Sequence, residues 1–261
     1  MKCKEVMECL EKLAPGFYAE GWDNVGLLTG REDKEVEKIL LALDPSASVI
    51  EQACEWGADM LITHHPLIFS PMKSITTKDF IGKRVYRLIR EDISYYAMHT
   101  NFDVMGMAEG VAEQLKLEER QVLEVTFQEG ISREGIGRIG NFPTAMTLKE
   151  CAFYIKEKCD LPSLRVFGDP EKVIQRIALV PGSGKSYIKQ AIGQGAEVFL
   201  TGDIGHHEGM DTVEQNLAVI DAGHFGLEKI FSSYMEEVLK RELPGLKIQA
   251  AREEEPFWTC I

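Results

Sequence analysis

The chain has 261 residues, of which 44% are hydrophobic and 27% are charged, as expected of a globular protein with one large or two medium domains. Its 42 acidic residues outnumber 29 basic ones, for a net charge of -13, and the absence of an evident basic stripe with interleaved aromatic residues argues against nucleic-acid and anionic-membrane partners. No apolar run approaches the roughly 18 residues of a membrane span, and the N-terminus does not resemble a signal peptide, so we expect a cytoplasmic protein.

The predicted elements alternate between helices and strands along the first half of the chain. They are, in order, an amphipathic helix over about residues 4–13, a turn at 21–24, the strand GLLT, the strand ILLAL, a helix ending at Gly57, the strand MLIT, a helix around 80–91, the strand SYYAMH and a helix over 108–116. Short, continuous apolar runs are typical of strands covered on both faces. The strand–helix–strand crossover therefore predicts parallel pairing in an α/β sheet.

The second half of the chain repeats this alternation behind a less regular stretch. From about residue 122 to 173 we expect GIGRIG, a helix over 148–159 with a capping box formed by Thr147 and Glu150, and the strand LRVF. The later elements are the strand RIALV, a helix ending at Gly195, the strand VFLT, a helix around 210–216, the strand LAVID and a helix over 226–240.

An internal repeat relates the two halves. Residues 44–63 and 182–201 align at an offset of 138, and seven of the twenty positions are identical, where chance gives about one. The sequence therefore predicts two related α/β domains that arose by duplication. We place them at 1–122 and 123–261, the second with a front extension at about 123–173, and the boundary is left open to being discontinuous.

The six histidines all lie at or just beyond the ends of predicted strands: His64, His65, His99, His206, His207 and His224. Ligands of parallel α/β sheets bind in the crevice beyond the carboxyl ends of the strands. The six cysteines, by contrast, show no Cys-x-x-Cys spacing, and we interpret them as packing residues. Histidine, not cysteine, therefore carries the prediction of a metal site.

Five of these polar positions form a plausible ligand set: His64, His65, Asp103, His224 and Glu228. Each has an ordinary alternative explanation, as a loop residue, a helix cap or an exposed helical pair, but their joint placement at equivalent strand ends favours a site. Five ligands exceed the three of a mononuclear catalytic zinc, so two ions roughly 3.5–4 Å apart are expected. Mixed nitrogen and oxygen ligands suit zinc, manganese, iron or cobalt better than calcium.

Five ordered motifs resemble a known family. GWDNVGLLTG, LITHHPLIF, HTNFD, TGD-x-x-HH and DAGHFGLE together resemble the Nif-three-like dinuclear-metal proteins, often labelled GTP cyclohydrolase I type 2 homologues, over almost the whole chain. The resemblance implies a two-domain α/β fold with a dinuclear metal site in the cleft between the domains. It further implies two divalent transition-metal ions per subunit, zinc, iron or manganese, and a toroidal homohexamer.

The resemblance also assigns roles to individual residues. His64 and His65 would each ligate a different ion, and Glu228 would bridge the two ions. His99 lies beside the ligands and is the candidate catalytic residue, as a proton carrier or as a group that orients a ligand. The remaining histidine pair, 206–207, is expected at the rim of the pocket without a metal role.

Two further motifs have competing interpretations. LVPGSGKSY resembles a phosphate-binding P-loop, but Leu179 stands where that motif needs glycine, so we exclude a nucleoside triphosphatase. Gly182 to Ser186 is then a tight turn with a serine cap, which we favour, or an anion site at a helix N-terminus. Trp22 and Asp23 are interpreted as a packed tryptophan with a capping aspartate, or else as a wall of the pocket.

Three functions are compatible with these predictions. The first is metal-dependent hydrolysis of a small phosphorylated or nucleotide-like substrate, with His99 moving the proton. The alternative is a non-catalytic metal-binding hexameric scaffold, or a protein for metal handling or regulation. The third is a purely structural α/β protein with incidental histidines.

Overall fold

The computed structural model describes residues 1–257, and the chain divides into two compact units. Unit 1 comprises Met1–Phe102 and Phe231–Glu254, and unit 2 comprises Asp103–Ile230 with the described residues from 255 onward. The predicted boundary between residues 122 and 123 therefore differs from the structure, in which the units divide after residue 102. Unit 1 is discontinuous because the last strand of the described chain completes its sheet.

The elements follow one another as helices and strands, with short irregular helices between them. In chain order they are α1 (Cys3–Leu13), β1 (Gly26–Thr29), β2 (Lys38–Ala42), α2 (Ala47–Trp56), β3 (Met60–Thr63), α3 (Phe80–Arg90), β4 (Ser94–Ala97), α4 (Thr100–Phe102), a π-helical segment (Asp103–Met107), α5 (Ala108–Gln114), β5 (Glu118–Glu129), β6 (Ser132–Thr147), α6 (Leu148–Lys158), β7 (Arg165–Phe167), β8 (Val173–Ser183), a 3-10 turn (Lys185–Tyr187), α7 (Ile188–Gly193), β9 (Val198–Gly202), α8 (His206–Glu214), β10 (Ala218–Asp221), α9 (His224–Glu228), α10 (Ile230–Glu242) and β11 (Lys247–Ala250). A further 3-10 turn, Gly16–Tyr18, follows α1. Among residues 1–257, none of these helices combines the length and the apolar character needed to cross a bilayer.

Unit 1 is built on a five-stranded sheet in the order β1-β4-β3-β2-β11. Strands β11, β2, β3 and β4 are parallel to their neighbours, and β1 is antiparallel to β4. Strands β3 and β4 are buried along their whole length, which explains why they are apolar at successive positions. Helix α2 ends at Gly57 with a φ of 67°, the left-handed cap that the sequence predicted.

Unit 2 is built on a six-stranded sheet in the order β5-β6-β8-β9-β10-β7. Strands β8, β9 and β10 are parallel, and β7 is antiparallel to β10. The predicted capping box of α6 is confirmed, because the Glu150 amide donates to the Thr147 hydroxyl and the Glu150 carboxylate accepts from the Thr147 amide. The buried side chains of α5, α6 and α9 pack on this sheet in one core.

The two sheets share a common part. An antiparallel edge strand, β1 or β7, is followed by three parallel strands, β4-β3-β2 in unit 1 and β10-β9-β8 in unit 2. The predicted α/β class is thus confirmed, and the shared strand order fits an internal duplication. The sheets differ on the far side, where β11 runs parallel to β2 but β6 runs antiparallel to β8.

Three local expectations differ from the structure. The stretch after residue 122 is not irregular, since β5 and β6 form a long antiparallel hairpin. Most of β5 is exposed, so its sequence lacks the apolar alternation that would have revealed it. The helix expected over 226–240 is two helices, α9 and α10, and the helix expected around 210–216 begins earlier, at residue 206.

Candidate metal centre

Three histidines of unit 1 come together at the carboxyl ends of two neighbouring strands. His64 and His65 follow β3, and His99 lies two residues beyond β4, which pairs in parallel with β3. One ring nitrogen from each of the three lies within 4.8 Å of the other two. The ring centroids are 4.9–5.7 Å apart. The strand ends therefore gather these imidazoles as the sequence predicted.

The two adjacent histidines are oriented by oxygen acceptors. Nδ1 of His64 donates to the carbonyl oxygen of Met98 at 2.8 Å, and Nδ1 of His65 donates to Oδ1 of Asp44 at 2.8 Å. Because carbonyl and carboxylate oxygens only accept, each Nδ1 carries the proton, and in the neutral ring Nε2 keeps the lone pair. A histidine that ligates a metal usually donates its other ring N–H to a carboxylate or carbonyl oxygen in the same way.

His99 is oriented in the same way by a buried carboxylate. Its Nδ1 donates to Oδ1 of Asp23 at 2.8 Å, and Oδ2 of Asp23 accepts from the amide and the hydroxyl of Thr100 at 3.0 and 2.5 Å. Burial alone would raise the pKa of Asp23, but the hydrogen bonds from His99 and Thr100 outweigh it and hold that pKa well below its usual range. Asp23 is therefore both the expected cap, here of α4, and the group that fixes the His99 ring.

A partly buried carboxylate supports the loop that carries Asp44. The carboxylate of Glu253 accepts from the amides of Leu43 and Asp44 at 2.7 and 2.9 Å, and from the Ser232 hydroxyl at 3.3 Å. Burial raises the pKa of Glu253. The position of the Asp44 carboxylate, and through it the orientation of His65, thus depends on a residue more than 200 positions away in the chain.

Unit 2 presents one histidine between two carboxylates. His224 opens α9, just beyond β10, and its Nδ1 donates to Oδ2 of Asp203, which follows β9, at 2.8 Å. Nε2 of His224 lies 2.9 Å from Oε2 of Glu228, one helical turn further along. Two neighbouring ligands of one ion are about 3 Å apart when each bond is roughly 2.0–2.2 Å long. The predicted pair of His224 and Glu228 therefore has a separation that fits one transition-metal ion.

A glycine makes room for this pair. Gly182 has a φ of 72°, and a Cβ atom built there would lie 2.2 Å from Oε1 of Glu228 and 3.5 Å from Nε2 of His224. The hydroxyl of Thr201 accepts from the amide of Gly184 and donates to the carbonyl of Gly182, at 2.9 and 3.2 Å. The loop is thus a tight turn, as predicted, but the predicted serine cap is absent, because the helices that follow begin after Gly184 and Tyr187 without a side-chain capping bond. The adjacent carboxylate disfavours an anion there.

The predicted ligand Asp103 begins the π-helical segment of unit 2. The guanidinium of Arg138, from GIGRIG, donates to the carbonyl of Val104 in that segment at 3.4 Å. It also donates to Oε2 of Glu109 at 2.9 Å and to two carbonyls of its own strand. Short π-helical turns occur frequently at functional sites. Arg138, whose role the sequence did not reveal, thus holds the segment that presents Asp103.

Each unit therefore contains part of the predicted set. Unit 1 brings together His64, His65 and His99, and unit 2 brings together His224 and Glu228. The pair 206–207 is exposed at the start of α8. The aspartates that orient the rings, at 23, 44 and 203, were not assigned that role from sequence. The signal that could have found two of them is an aspartate directly after an apolar strand, as in LLALD and LTGD.

Comparisons with known proteins identify relatives of the chain. The family model described as Duf34/NIF3 (NGG1p interacting factor 3) matches residues 1–256. A Clostridium acetobutylicum protein named GTP cyclohydrolase 1 type 2 homolog is 36% identical over 230 residues, which cover 87% of this chain and 85% of that protein. A Streptomyces coelicolor protein of the same name is 31% identical over 99% of this chain and 94% of its own length. The crystal structure of a Bacillus cereus protein related to NIF3 superposes with a TM-score of 0.93 at 25% identity, covering 100% of this chain and 99% of that one.

Proposed function

The chain belongs to the Duf34/NIF3 family, and we propose that it binds two divalent transition-metal ions and hydrolyses a small phosphorylated or nucleotide-like substrate with them. The proposed metal ligands are His64, His65, Asp103, His224 and Glu228. His99 is the proposed catalytic residue.

One observation carries the proposal. In four histidines Nδ1 donates at 2.8 Å to an oxygen acceptor, in three cases a carboxylate: His64, His65, His99 and His224. Carboxylate–histidine pairs of this kind fix the ring and its tautomer and make the other ring nitrogen a better metal ligand. Histidines retained only for packing have no need of this repeated arrangement, which disfavours the purely structural alternative.

The donor atoms also indicate the class of metal. Imidazole nitrogens together with carboxylate oxygens suit zinc, iron or manganese, whereas calcium takes oxygen ligands alone. The glycine at position 182 is the second supporting feature, because any side chain there would occupy the space beside Glu228. The residues present therefore fit the proposed ions.

Such ions, when bound, lower the pKa of a coordinated water and stabilise negative charge that develops on the substrate. His99 is placed to move the proton. Its Nδ1 is held by the carboxylate of Asp23, so the ring exchanges a proton only at Nε2. The hydrogen bonds from His99 and Thr100 hold the pKa of Asp23 low, so in the proposed reaction this carboxylate would stay ionised and orient the ring.

The name of the curated relatives suggests one member of this substrate class. They are called GTP cyclohydrolase 1 type 2 homologs, and hydrolytic opening of a purine nucleotide ring lies within the proposed reaction class. The proposed reaction is hydrolysis at a metal centre, and assays against a panel of nucleotides and phosphoesters would identify the small substrate.

Metal analysis of the purified protein tests the proposal. Elemental analysis after reconstitution with zinc, iron or manganese should give about two ions per subunit. His64→Ala and Glu228→Ala should each lose bound metal, whereas His206→Ala, which alters an exposed histidine outside the proposed set, should keep it. A reconstituted protein without bound transition metal would refute the proposal.

Turnover then separates the enzyme from the non-catalytic alternative. Metal-loaded protein is assayed against the panel, and hydrolysis should fall in Glu228→Ala and in His99→Ala. Loss of turnover in His99→Ala with full metal content would assign the proton transfer to that residue. Bound metal with no turnover of any panel member would favour the metal-binding hexameric scaffold instead.

A further inference from the structure

Two large aromatic side chains of unit 1 are exposed beside His99. Trp22 is 58% exposed and Phe69 is 55% exposed, so the interpretation of Trp22 as a packed residue is wrong. The two ring centroids are 5.8 Å apart, and they lie 6.0 and 6.5 Å from the centroid of His99. Single exposed apolar residues need no explanation, but two in contact with each other and with a candidate catalytic residue do.

Both rings stand on segments that are fixed by hydrogen bonds. The side-chain amide of Asn24 donates to the carbonyl of Ile68 at 2.6 Å, which joins the loop of Trp22 to the loop of Phe69. The neighbouring Asp23 anchors the first loop through its three hydrogen bonds. The rings are therefore arranged before any ligand arrives, which lowers the entropic cost of binding one.

The exposed area indicates the size of the ligand. A fully buried aromatic side chain removes roughly 150–250 Å² from water, so two rings that are a little over half exposed offer about 200–250 Å². A stable protein interface needs about 800 Å² from each partner. The pair of rings is thus far too small for a protein partner, and its area is of the order of one bicyclic heterocycle.

We propose that Trp22 and Phe69 form a stacking site for the planar heterocyclic ring of a small-molecule ligand, with the remainder of that ligand directed toward His99. The inference rests on the proposed function, because the ring is taken to be part of the substrate of the same site. It adds a substrate class, a planar heterocycle, and two binding residues. The indole and phenyl faces recognise the ring by its shape and π system, so they tolerate several heterocycles.

Purine nucleosides are suitable probes, because they carry the ring without a phosphate. Calorimetric titration with guanosine and with adenosine is compared with titration by ribose, in metal-loaded and in chelator-treated protein. We expect both nucleosides to bind and ribose not to bind measurably. Since stacking of one base on an aromatic side chain contributes a factor of roughly 5 to 100 in affinity, Trp22→Ala and Phe69→Ala should each weaken nucleoside binding by that factor.

Matched variants separate stacking from general damage. Trp22→Phe keeps a ring and should retain more affinity than Trp22→Ala. Phe80→Ala removes a ring that is 66% exposed on α3 of the same unit and should leave binding unchanged. Metal content should stay at the wild-type value in every one of these variants. Equal losses in Phe80→Ala and Trp22→Ala, or ribose binding as tight as nucleoside binding, would overturn the inference.

The outcomes also distinguish this inference from the proposed function. Metal-loaded protein that binds neither nucleoside would overturn the stacking site and leave the metal proposal intact. Nucleoside binding by protein that takes up no metal would refute the metal proposal and leave the stacking site in place. In a Trp56→Phe, Trp258→Phe background, concentration-dependent shielding of Trp22 from acrylamide would show that a second copy covers the rings, which would overturn the inference.

Discussion

Units 1 and 2 use the same succession of parallel strands but distribute their imidazoles and carboxylates differently. In unit 1, His65 follows β3 and its partner Asp44 follows β2. In unit 2 the strand that corresponds to β3 is β9, and it is followed by the carboxylate, Asp203, while His224 follows β10. The histidine–aspartate pair is thus displaced by one strand between the units.

The sequence register makes this displacement explicit. At the offset of 138, Asp44 corresponds to Gly182 and His65 corresponds to Asp203. Position 182 has no side chain, and Glu228 occupies the space beside it. The two units therefore share the strands and the edge at which these strands end. They differ in which residue types stand at that edge. The following predictions test whether the two edges are equivalent in function.

The largest effect is expected at Gly182. Gly182→Ala combines a left-handed backbone, which costs about 1–2 kcal/mol, with overpacking against Glu228, which costs about 1–3 kcal/mol, so roughly 2–5 kcal/mol of stability should be lost. Displacement of Glu228 should also reduce the metal content. Urea unfolding and elemental analysis measure the two effects.

The matched control for this substitution is Gly195→Ala. Gly195 also has a positive φ, 75°, but no atom lies within 4 Å of its built Cβ. Only the backbone cost of about 1–2 kcal/mol is expected, with normal metal content. Equal effects of the two substitutions would show that the contact with Glu228 is irrelevant and would weaken the comparison of the two edges.

Substitution of Arg138 tests whether the hairpin of unit 2 holds the π-helical segment that begins at Asp103. The Arg138 side chain is only 8% exposed, and Arg138→Met removes the donor to three backbone carbonyls and one of the two arginines that pair with Glu109. We expect a loss of about 2–4 kcal/mol and weaker metal binding, because the segment of Asp103 is no longer held. Arg120→Met is the control, since Arg120 pairs with the same glutamate but is 32% exposed, and it should cost under about 1 kcal/mol.

The two aspartates that orient histidines allow a direct comparison of the edges. Asp44 and Asp203 are equally half exposed, and each accepts from Nδ1 of one histidine. Asp44→Ala and Asp203→Ala should each weaken metal affinity about 10- to 100-fold, as measured in competition with a chelator. Asp211→Ala, on the exposed side of α8, should have no effect. A loss confined to one of the two would show that only that edge contributes to the metal centre.

The smallest effect is expected for chemical modification of the cysteines. A thiol reagent should not modify the buried cysteines of unit 2 in the native protein. Burial raises the pKa of Cys151 to about 12 and that of Cys159 to about 11, so neither forms an appreciable thiolate at pH 8. In a Cys260→Ser background, a thiol reagent at pH 8 should modify the partly exposed Cys54 of unit 1 and leave both unit 2 thiols intact until urea is added. Mass spectrometry identifies the labelled positions. Rapid labelling of Cys151 in the native protein would contradict the prediction.

The sequence predicted those features that depend on local pattern. Apolar runs identified the parallel strands, and the polar residues directly after MLIT and LAVI identified His64, His65 and His224 as candidates. The position of His99 beside these ligands came from the family resemblance, and the structure explains it, because β3 and β4 are parallel neighbours that end at the same edge. These features depend on short stretches of sequence, and the repeat strengthened the strand and helix predictions because the same pattern occurs twice.

Features that depend on distant side chains could not be predicted in this way. The pairing of His99 with Asp23 spans 76 residues, and the support of Asp44 by Glu253 spans 209. Each depends on side-chain direction in the folded unit, which periodicity does not specify. The hairpin of β5 and β6 was missed for another reason, because EERQVLEVTFQE has too few buried positions to show an alternation. Arg138, which acts from that hairpin, was missed along with it.

The parallel pairing of β11 with β2 has a consequence for biosynthesis. A ribosome makes all of residues 103–230 before it makes β11, so unit 2 can fold during translation while the edge of β2 still lacks its neighbour. An unpaired strand edge is open to pairing with other chains. Although the first residues of unit 1 are made early, the edge of β2 stays unpaired until β11 has been made. Glu253 lies three residues beyond β11, so the loop of Asp44 gains this support only after β11 has been made. His65, which Asp44 orients, therefore reaches its final orientation later than residues 103–230 are synthesised.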